Sequence, residues 1–146
     1  MYKEGNILFF NPFYFKNGNP PKPKFFVVLK VIEGKTIIAS LPTSQDYIPA
    51  KDVITSGCIE IPEINMNCFV FSPKETVTVC NKMFECSTYI YGYQLDNYDI
   101  EFMNEYYRVK GVDYYLFGEM KPDLFSKLIK CLKYSKSVKK KFTKEL

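Results

Sequence analysis

The sequence contains no histidine and no tryptophan, and Arg108 is the only arginine among its 20 basic residues. Without histidine the chain cannot build a Ser-His-Asp or Cys-His catalytic centre, nor a zinc site with a histidine ligand. Acid–base chemistry near neutral pH would have to use carboxylates, lysine, cysteine, tyrosine or the backbone. The missing histidine therefore excludes several common hydrolytic mechanisms.

Cysteine is present, but its pattern is not that of a disulfide-rich or zinc-binding protein. The odd total and the lack of any C-x-x-C pair indicate neither a disulfide framework nor a thiolate zinc site. We expect buried or idle thiols in a reducing compartment. The cysteines stand at positions 58, 68, 80, 86 and 131.

Long apolar runs and phosphate-binding glycine motifs are also missing. The longest purely apolar run is Phe25–Leu29, far below the ~20 residues of a membrane span. Ile7–Phe10 is too short for the core of a signal peptide. Neither G-x-x-x-x-G-K-[ST] nor G-x-G-x-x-G occurs. The sequence predicts a cytoplasmic protein with no membrane partner, no metal and no cofactor.

What the chain does contain is charge arranged in blocks. Residues 1–51 carry seven lysines and three acids, for a net charge of +4. Residues 52–120 carry a net charge of −7, and residues 121–146 carry +7, so the total is only +4. Such asymmetry suggests that one surface has an anionic partner.

Short aromatic and β-branched segments separated by turn residues indicate a mainly β, α+β fold. Glu33–Lys35 predicts a hairpin turn, and residues 11–24, rich in Gly, Pro and Asn, predict an irregular loop. Many short strands with one terminal helix suggest a small, strongly bent antiparallel sheet or barrel in a single domain, residues 1–135. The strands are predicted at 6–10, 25–32, 36–41, 57–61, 67–71, 76–80 and 87–93, with a short helix or turns at 95–105 and further strand structure in 106–117.

The most convincing helix is predicted over residues 122–134. Pro122 suits a first helical turn, and Asp123 favours the positive end of the helix dipole. Leu124, Leu128 and Leu132 recur every four residues and mark an apolar stripe, with lysines away from it. Residues 136–146 are polar and basic, and we expect a flexible tail there.

Cationic and hydroxyl side chains cluster at the two ends of the predicted hairpin. Lys22 and Lys24 precede its first strand, and Thr43 and Ser44 follow its second. Because the start of one antiparallel strand lies beside the end of the next, these groups should converge. Cations beside hydroxyl and amide donors suit a phosphate group. The predicted substrate-binding set also includes Lys16, Gln45 and Tyr47, and Phe13, Tyr14, Phe15 and Tyr47 offer stacking faces for unpaired bases.

The order of these motifs resembles the MazF/PemK (Kid-like) toxin family over nearly the whole chain. Gly5–Leu8 is similar to the G-[DE]-I-[VW] opening strand, and Lys22–Leu29 to the R-P-x-[VL]-[VL]-[VL] segment. Leu41–Gln45 resembles a strand end of the type [VL]-P-x-T-S. Tyr91–Asp96 corresponds to a later strand, and Met120–Leu124 resembles the V-x-P-E-E-L start of the C-terminal helix.

The resemblance implies a small SH3-like barrel with a C-terminal helix, a homodimer, and inhibition by an antitoxin. It also implies a metal-independent endoribonuclease that cleaves single-stranded RNA to a 2′,3′-cyclic phosphate and a 5′-OH. The family's catalytic Thr corresponds to Thr43. Its catalytic Arg corresponds to Lys22 if the following Pro sets the register, and to Lys24 if the start of the apolar strand sets it.

Two other functions are compatible with the sequence. Arginine clamps phosphate with a planar, fixed charge, whereas lysine offers a point charge. The same fold could therefore be a catalytically inactive module that binds RNA or protein through its basic end. Alternatively, the acidic middle of the chain could contact a basic protein partner.

Overall fold

The computed structural model describes residues 1–44 and 55–146. Its fold is mainly antiparallel β-structure with a few helices, as the sequence predicts. The helices are α1 (Ile100–Tyr106), α2 (Pro122–Lys133) and α3 (Lys140–Thr143), with 3-10 turns at Pro62–Ile64 and Gly92–Gln94. The strands are β1 (Asn6–Phe13), β2 (Lys22–Ile32), β3 (Thr36–Ser40), β4 (Thr43–Ser44), β5 (Gly57–Ile61), β6 (Met66–Phe71), β7 (Thr88–Tyr91), β8 (Asp96–Asp99) and β9 (Tyr114–Glu119).

The strands of the described residues form two sheets. The first has five strands in the order β8-β3-β2-β1-β9, and the second has four in the order β4-β7-β6-β5. The predicted hairpin is confirmed, because β2 and β3 pair antiparallel with Val27 opposite Ser40 and Ile32 opposite Thr36. Within the described part of the chain, both sheets are open, and neither closes on itself as a barrel.

The central strands of the five-stranded sheet are buried on both faces. Side chains of neighbouring residues in a strand point to opposite faces. Ile7 and Val27 pack with β6 and α2, whereas Leu8 and Val28 pack with residues of α1 on the other side. A sheet covered on both faces reads as a continuous apolar run, which explains Phe25–Leu29.

Several segments differ from the sequence-based assignment, among them Asp96–Asp99, which is a strand where the sequence predicts a short helix or turns. β1 extends to Phe13 and β2 begins at Lys22, so the irregular loop shrinks to residues 14–21. Residues 76–80 are not a strand, and Thr78 makes only an isolated bridge to Met120. The reason is a local turn, in which the amide of Lys82 donates to the hydroxyl of Thr78 at 2.9 Å.

The C-terminal region packs more tightly than expected. α2 ends one residue before the predicted boundary, and its Leu128 and Leu132 are fully buried. The expectation of a flexible tail is corrected, because Val138 and Phe142 are buried and belong to the main core. Val138 lies in a bend before α3 and Phe142 lies within α3, while the lysines at 139, 140 and 141 between them stay exposed.

The expectation that all the cysteines are thiols is also corrected. Cys58 of β5 and Cys131 of α2 form a disulfide with a Cα–Cα distance of 5.6 Å. They are 73 residues apart, and only the packing of α2 on β5 brings them together. Cys68 is a buried free thiol, and Cys80 and Cys86 are exposed free thiols.

No helix in residues 1–44 or 55–146 has the length and apolar character needed to cross a membrane.

Candidate functional site: a lysine-lined cleft

A cleft of about 540 Å³ opens where β2 begins and the chain leaves β3. Lys22, Lys24 and Thr43 all line it, so the structure brings together the three residues that the sequence singled out for catalysis. The antiparallel register of β2 and β3 causes this convergence. The other described residues that line it are Phe15, Asn17, Asn19, Pro20, Leu41 and Gln94.

Lys24 is held in place by the backbone that leads to Thr43. Its Nζ donates a hydrogen bond of 3.0 Å to the carbonyl oxygen of Pro42. Partial burial lowers the pKa of Lys24 below the ordinary lysine value, and the positive charge of Lys22 lowers it further. Both causes disfavour the charged amine, and a bound anion would relieve the repulsion between the two cations.

Lys22 lies on the exposed side of the cleft. Its Nζ is 6.0 Å from the centroid of the Phe15 ring. A lysine ammonium is a mobile point charge on a flexible stem, so Lys22 can follow an anion across the cleft. Lys22 is therefore the exposed cation of the pair, whereas Lys24 is anchored by its hydrogen bond to Pro42.

Thr43 is fixed by the short strand β4, where it pairs with Tyr89 of β7. Ser44 follows it opposite Thr88, and the two hydroxyl oxygens are 3.4 Å apart. Thr88 Oγ1 already donates to the carbonyl of Cys86, so Ser44 donates to Thr88. Ser44 is exposed and is not among the lining residues of the cleft.

Lys16 is not brought to this cleft. Its Nζ lies 3.3 Å from a carboxylate oxygen of Asp96 and 4.3 Å from the centroid of the Tyr98 ring. It also donates to the carbonyl oxygen of Asn97. The predicted substrate-binding residue therefore sits in a separate cluster. Gln45 and Tyr47, the other two predicted substrate-binding residues, lie outside the described residues.

Among the described residues of the lining, three polar ones were missed by the sequence-based assignment. Asn17 and Asn19 belong to the loop after β1, where the amide of Asn19 donates to the Asn17 side chain at 3.0 Å. Their place just before Lys22 is a usable signal, although the glycine, proline and asparagine content of the segment predicts only an irregular loop. Gln94 belongs to a 3-10 turn that is distant in sequence from the other lining residues. No local sequence pattern indicates that it lines the cleft.

The described lining of the cleft combines two ammonium groups, one hydroxyl and three side-chain amides, and it contains no carboxylate. Such a set donates hydrogen bonds and supplies positive charge, which suits phosphate oxygens. Comparisons with protein-family models, curated proteins and solved structures give no match for this chain.

Proposed function

We propose that the protein is a metal-independent endoribonuclease of the MazF/PemK type that acts on single-stranded RNA in the lysine-lined cleft. One observation carries the proposal: Lys22, Lys24 and Thr43 line the same cleft. These residues are the ones that the family resemblance nominates for catalysis. The mixture of cations, hydroxyl and amides is the chemistry that phosphodiester recognition requires.

The proposed reaction is an intramolecular transesterification. The ribose 2′-oxygen attacks the adjacent phosphorus, and the bond from phosphorus to the 5′-oxygen breaks. The proton of the 2′-OH passes to solvent, and Lys24 donates a proton to the departing 5′-oxygen. Lys22 stabilises the charge on the non-bridging oxygens, and the Thr43 hydroxyl donates a hydrogen bond to one of them. The products are a 2′,3′-cyclic phosphate and a 5′-OH.

The lowered pKa of Lys24 supports its role as the proton donor. A general acid works best when its pKa approaches the working pH, and an ordinary lysine is too weak an acid. Burial and the charge of Lys22 both move Lys24 in the useful direction. Lys24 would thus replace part of what the family obtains from arginine.

Partners follow from the same resemblance. We propose a homodimer in the cytoplasm, controlled by an antitoxin protein that covers the cleft and excludes RNA. An inhibitor of this kind would present carboxylates to Lys22 and Lys24. The proposal predicts a small acidic protein encoded beside this gene.

The test is cleavage of single-stranded RNA by the purified protein in EDTA. We expect cleavage by the wild type and its loss in the Lys22→Ala/Lys24→Ala double variant and in Thr43→Ala. Lys110→Ala is the matched control, because Lys110 is an exposed lysine that does not line the cleft. Cleavage that persists in both site variants would reject these roles.

A second candidate function is RNA binding without cleavage. It is favoured by the hydrogen bond from Lys24 to the Pro42 carbonyl and by the absence of a carboxylate base from the described lining. Salt-dependent binding of intact RNA, with no products after long incubation, would decide for this alternative.

A further inference from the structure

An aromatic pocket lies beside the lysine-lined cleft. It forms where the loop after β1 meets β8 and α1. It is predominantly apolar, with rings contributed by Phe13, Phe15, Tyr98, Phe102, Tyr106 and Tyr107. We propose that this aromatic pocket binds one nucleobase of the RNA strand whose phosphate occupies the cleft. The inference rests on the proposed function, which it extends from phosphate binding to base binding.

The size of the aromatic pocket limits its occupant. Its volume is about 140 Å³. An apolar cavity of ~150 Å³ accepts a single benzene-sized ring. The aromatic pocket therefore suits one flat ring system and is too small for a helix or a folded segment of a partner protein.

Exposed rings on α1 provide a stacking surface. Phe102 and Tyr106 are 56% and 52% exposed, although both are large aromatic residues. They are four residues apart on one helix face, with ring centroids 5.1 Å apart and planes inclined by 28°. Tyr14 meets Tyr106 edge-on at 5.5 Å and borders the same surface. Aromatic faces left open in this way are what unpaired bases stack on.

Phe15 connects the aromatic pocket to the cleft. It lines both of them, and the Lys22 ammonium lies 6.0 Å from its ring centroid. One nucleotide carries a base and a phosphate on a single ribose. A strand crossing Phe15 can therefore place its phosphate near Lys22 and a base against the rings of α1.

The charges around the aromatic pocket favour a neutral ring over an ion. Lys16 already covers the Tyr98 ring at 4.3 Å, so a second cation, such as a quaternary ammonium group, would be repelled. The carboxylate of Asp99 also lines the pocket and disfavours a phosphate there. A nucleobase satisfies both conditions, with its phosphate outside in the cleft.

The test uses short 2′-O-methyl RNA, which binds but cannot react by 2′-oxygen attack. Each oligonucleotide carries 2-aminopurine at one position, and its fluorescence and anisotropy are followed during titration with protein. The variants are Phe102→Ala and Tyr106→Ala. Tyr115→Ala is the control, because Tyr115 is an exposed tyrosine on β9 outside the pocket. Thermal melts check that every variant is folded.

We expect wild-type protein and Tyr115→Ala to quench 2-aminopurine at one position of the oligonucleotide. Phe102→Ala and Tyr106→Ala should lose the quenching and bind roughly 5- to 100-fold more weakly. An abasic residue at that position should weaken wild-type binding similarly. Unchanged quenching in both pocket variants, or equal affinity for abasic RNA, would overturn the base-binding proposal.

Failure of the two proposals can be told apart, because cleavage of unmodified RNA is measured separately. Binding and quenching without cleavage would reject the endoribonuclease and leave the base-binding pocket intact. Cleavage without any effect of the α1 variants would reject the pocket alone. No binding by the wild type at low salt would reject both.

Discussion

The ammonium group of Lys24 donates a hydrogen bond of 3.0 Å to the carbonyl oxygen of Pro42. This contact joins the start of β2 to the residue just before Thr43, so the cation and the hydroxyl of the cleft are held in a fixed relation. A hydrogen bond from a charged group to a carbonyl is stronger than one between neutral groups. Lys24 therefore fixes the geometry of the cleft and also contributes to its positive charge.

Lys24→Met should remove both contributions at once, because methionine keeps an apolar stem and loses the amine that carries the charge and donates to Pro42. We expect RNA affinity to fall by roughly tenfold or more, since a hydrogen bond to a charged group is worth about 1.5–3 kcal/mol. Lys24→Arg should retain most of the binding. Lys110→Met, which removes an exposed lysine elsewhere, provides the baseline for fluorescence anisotropy. Equal affinities for Lys24→Met and Lys110→Met would contradict a role for Lys24.

The lowered pKa of Lys24 makes RNA binding and stability respond to pH in opposite directions. The folded protein binds fewer protons at Lys24 than the unfolded chain does, between the lowered pKa and the ordinary value of 10.5. The contribution of Lys24 to the free energy of unfolding therefore rises with pH across that window. RNA affinity should fall across the same window, because the cation is being lost.

The measurement compares wild type with Lys24→Met at several pH values, so that titration of the tyrosines cancels in the difference. Denaturant midpoints give the stability, and anisotropy gives the affinity. We expect the wild type to gain stability relative to Lys24→Met, and to lose its advantage in affinity, as pH rises. A stability difference that is flat with pH would contradict the lowered pKa.

The Cys58–Cys131 disulfide closes a loop spanning 73 residues and should be a large contributor to stability. The chain-entropy estimate for such a loop is about 4 kcal/mol, within a usual range of roughly 2–5 kcal/mol. Reduction, or the Cys58→Ser/Cys131→Ser variant, should lower the free energy of unfolding by that amount. Cys80→Ser should have little effect, because Cys80 is an exposed free thiol.

Denaturant unfolding with and without reductant provides the measurement. Disulfides are rare in reducing compartments, so the result also bears on the proposed cytoplasmic location. A reduced protein that is well folded is compatible with the cytoplasm. One that unfolds on reduction would contradict that location. Identical unfolding curves with and without reductant would contradict the disulfide contribution.

Gly92 is required where the C-terminal segment packs on β6. A Cβ built on Gly92 would lie 2.4 Å from Asn67 Oδ1 and 2.6 Å from Val138 Cγ2. The Asn67 side chain cannot easily move away, because its Nδ2 donates a hydrogen bond of 3.0 Å to the carbonyl oxygen of Cys131. We expect Gly92→Ala to cost about 1–3 kcal/mol as an overpacking change.

Gly57→Ala is the matched control for Gly92→Ala, because a Cβ on Gly57 meets nothing within 4 Å. Thermal or denaturant unfolding measures both variants. Proteolysis near the C-terminus should also accelerate in Gly92→Ala, since Val138 would be displaced from the core. Equal stability of the two variants would show that residues 136–146 are not packed as described.

The hairpin and the lysine cleft were predictable because their signals are local. The apolar run from Phe25, the turn at Gly34 and the polar residues at both ends together determine which groups meet. Gln94 and the disulfide were not predictable, because only the tertiary packing of distant segments creates them.

The aromatic pocket and the packing of residues 136–146 could not be predicted from the sequence for a different reason. Each depends on a few apolar residues inside a polar stretch, such as Phe102 in α1 and Phe142 in α3. In a short segment so few residues do not reveal which face will be buried. The lysines around Phe142 therefore predict a flexible tail, although Phe142 itself is buried.

The proposed endoribonuclease activity is tested most directly by the chemistry of the RNA ends. An unmodified single-stranded RNA is incubated with protein in EDTA, and its products are analysed by mass spectrometry. We predict a 2′,3′-cyclic phosphate and a 5′-OH, and no cut where the attacking 2′-oxygen is methylated. No cleavage at all, or products that carry a 5′-phosphate, would contradict this prediction.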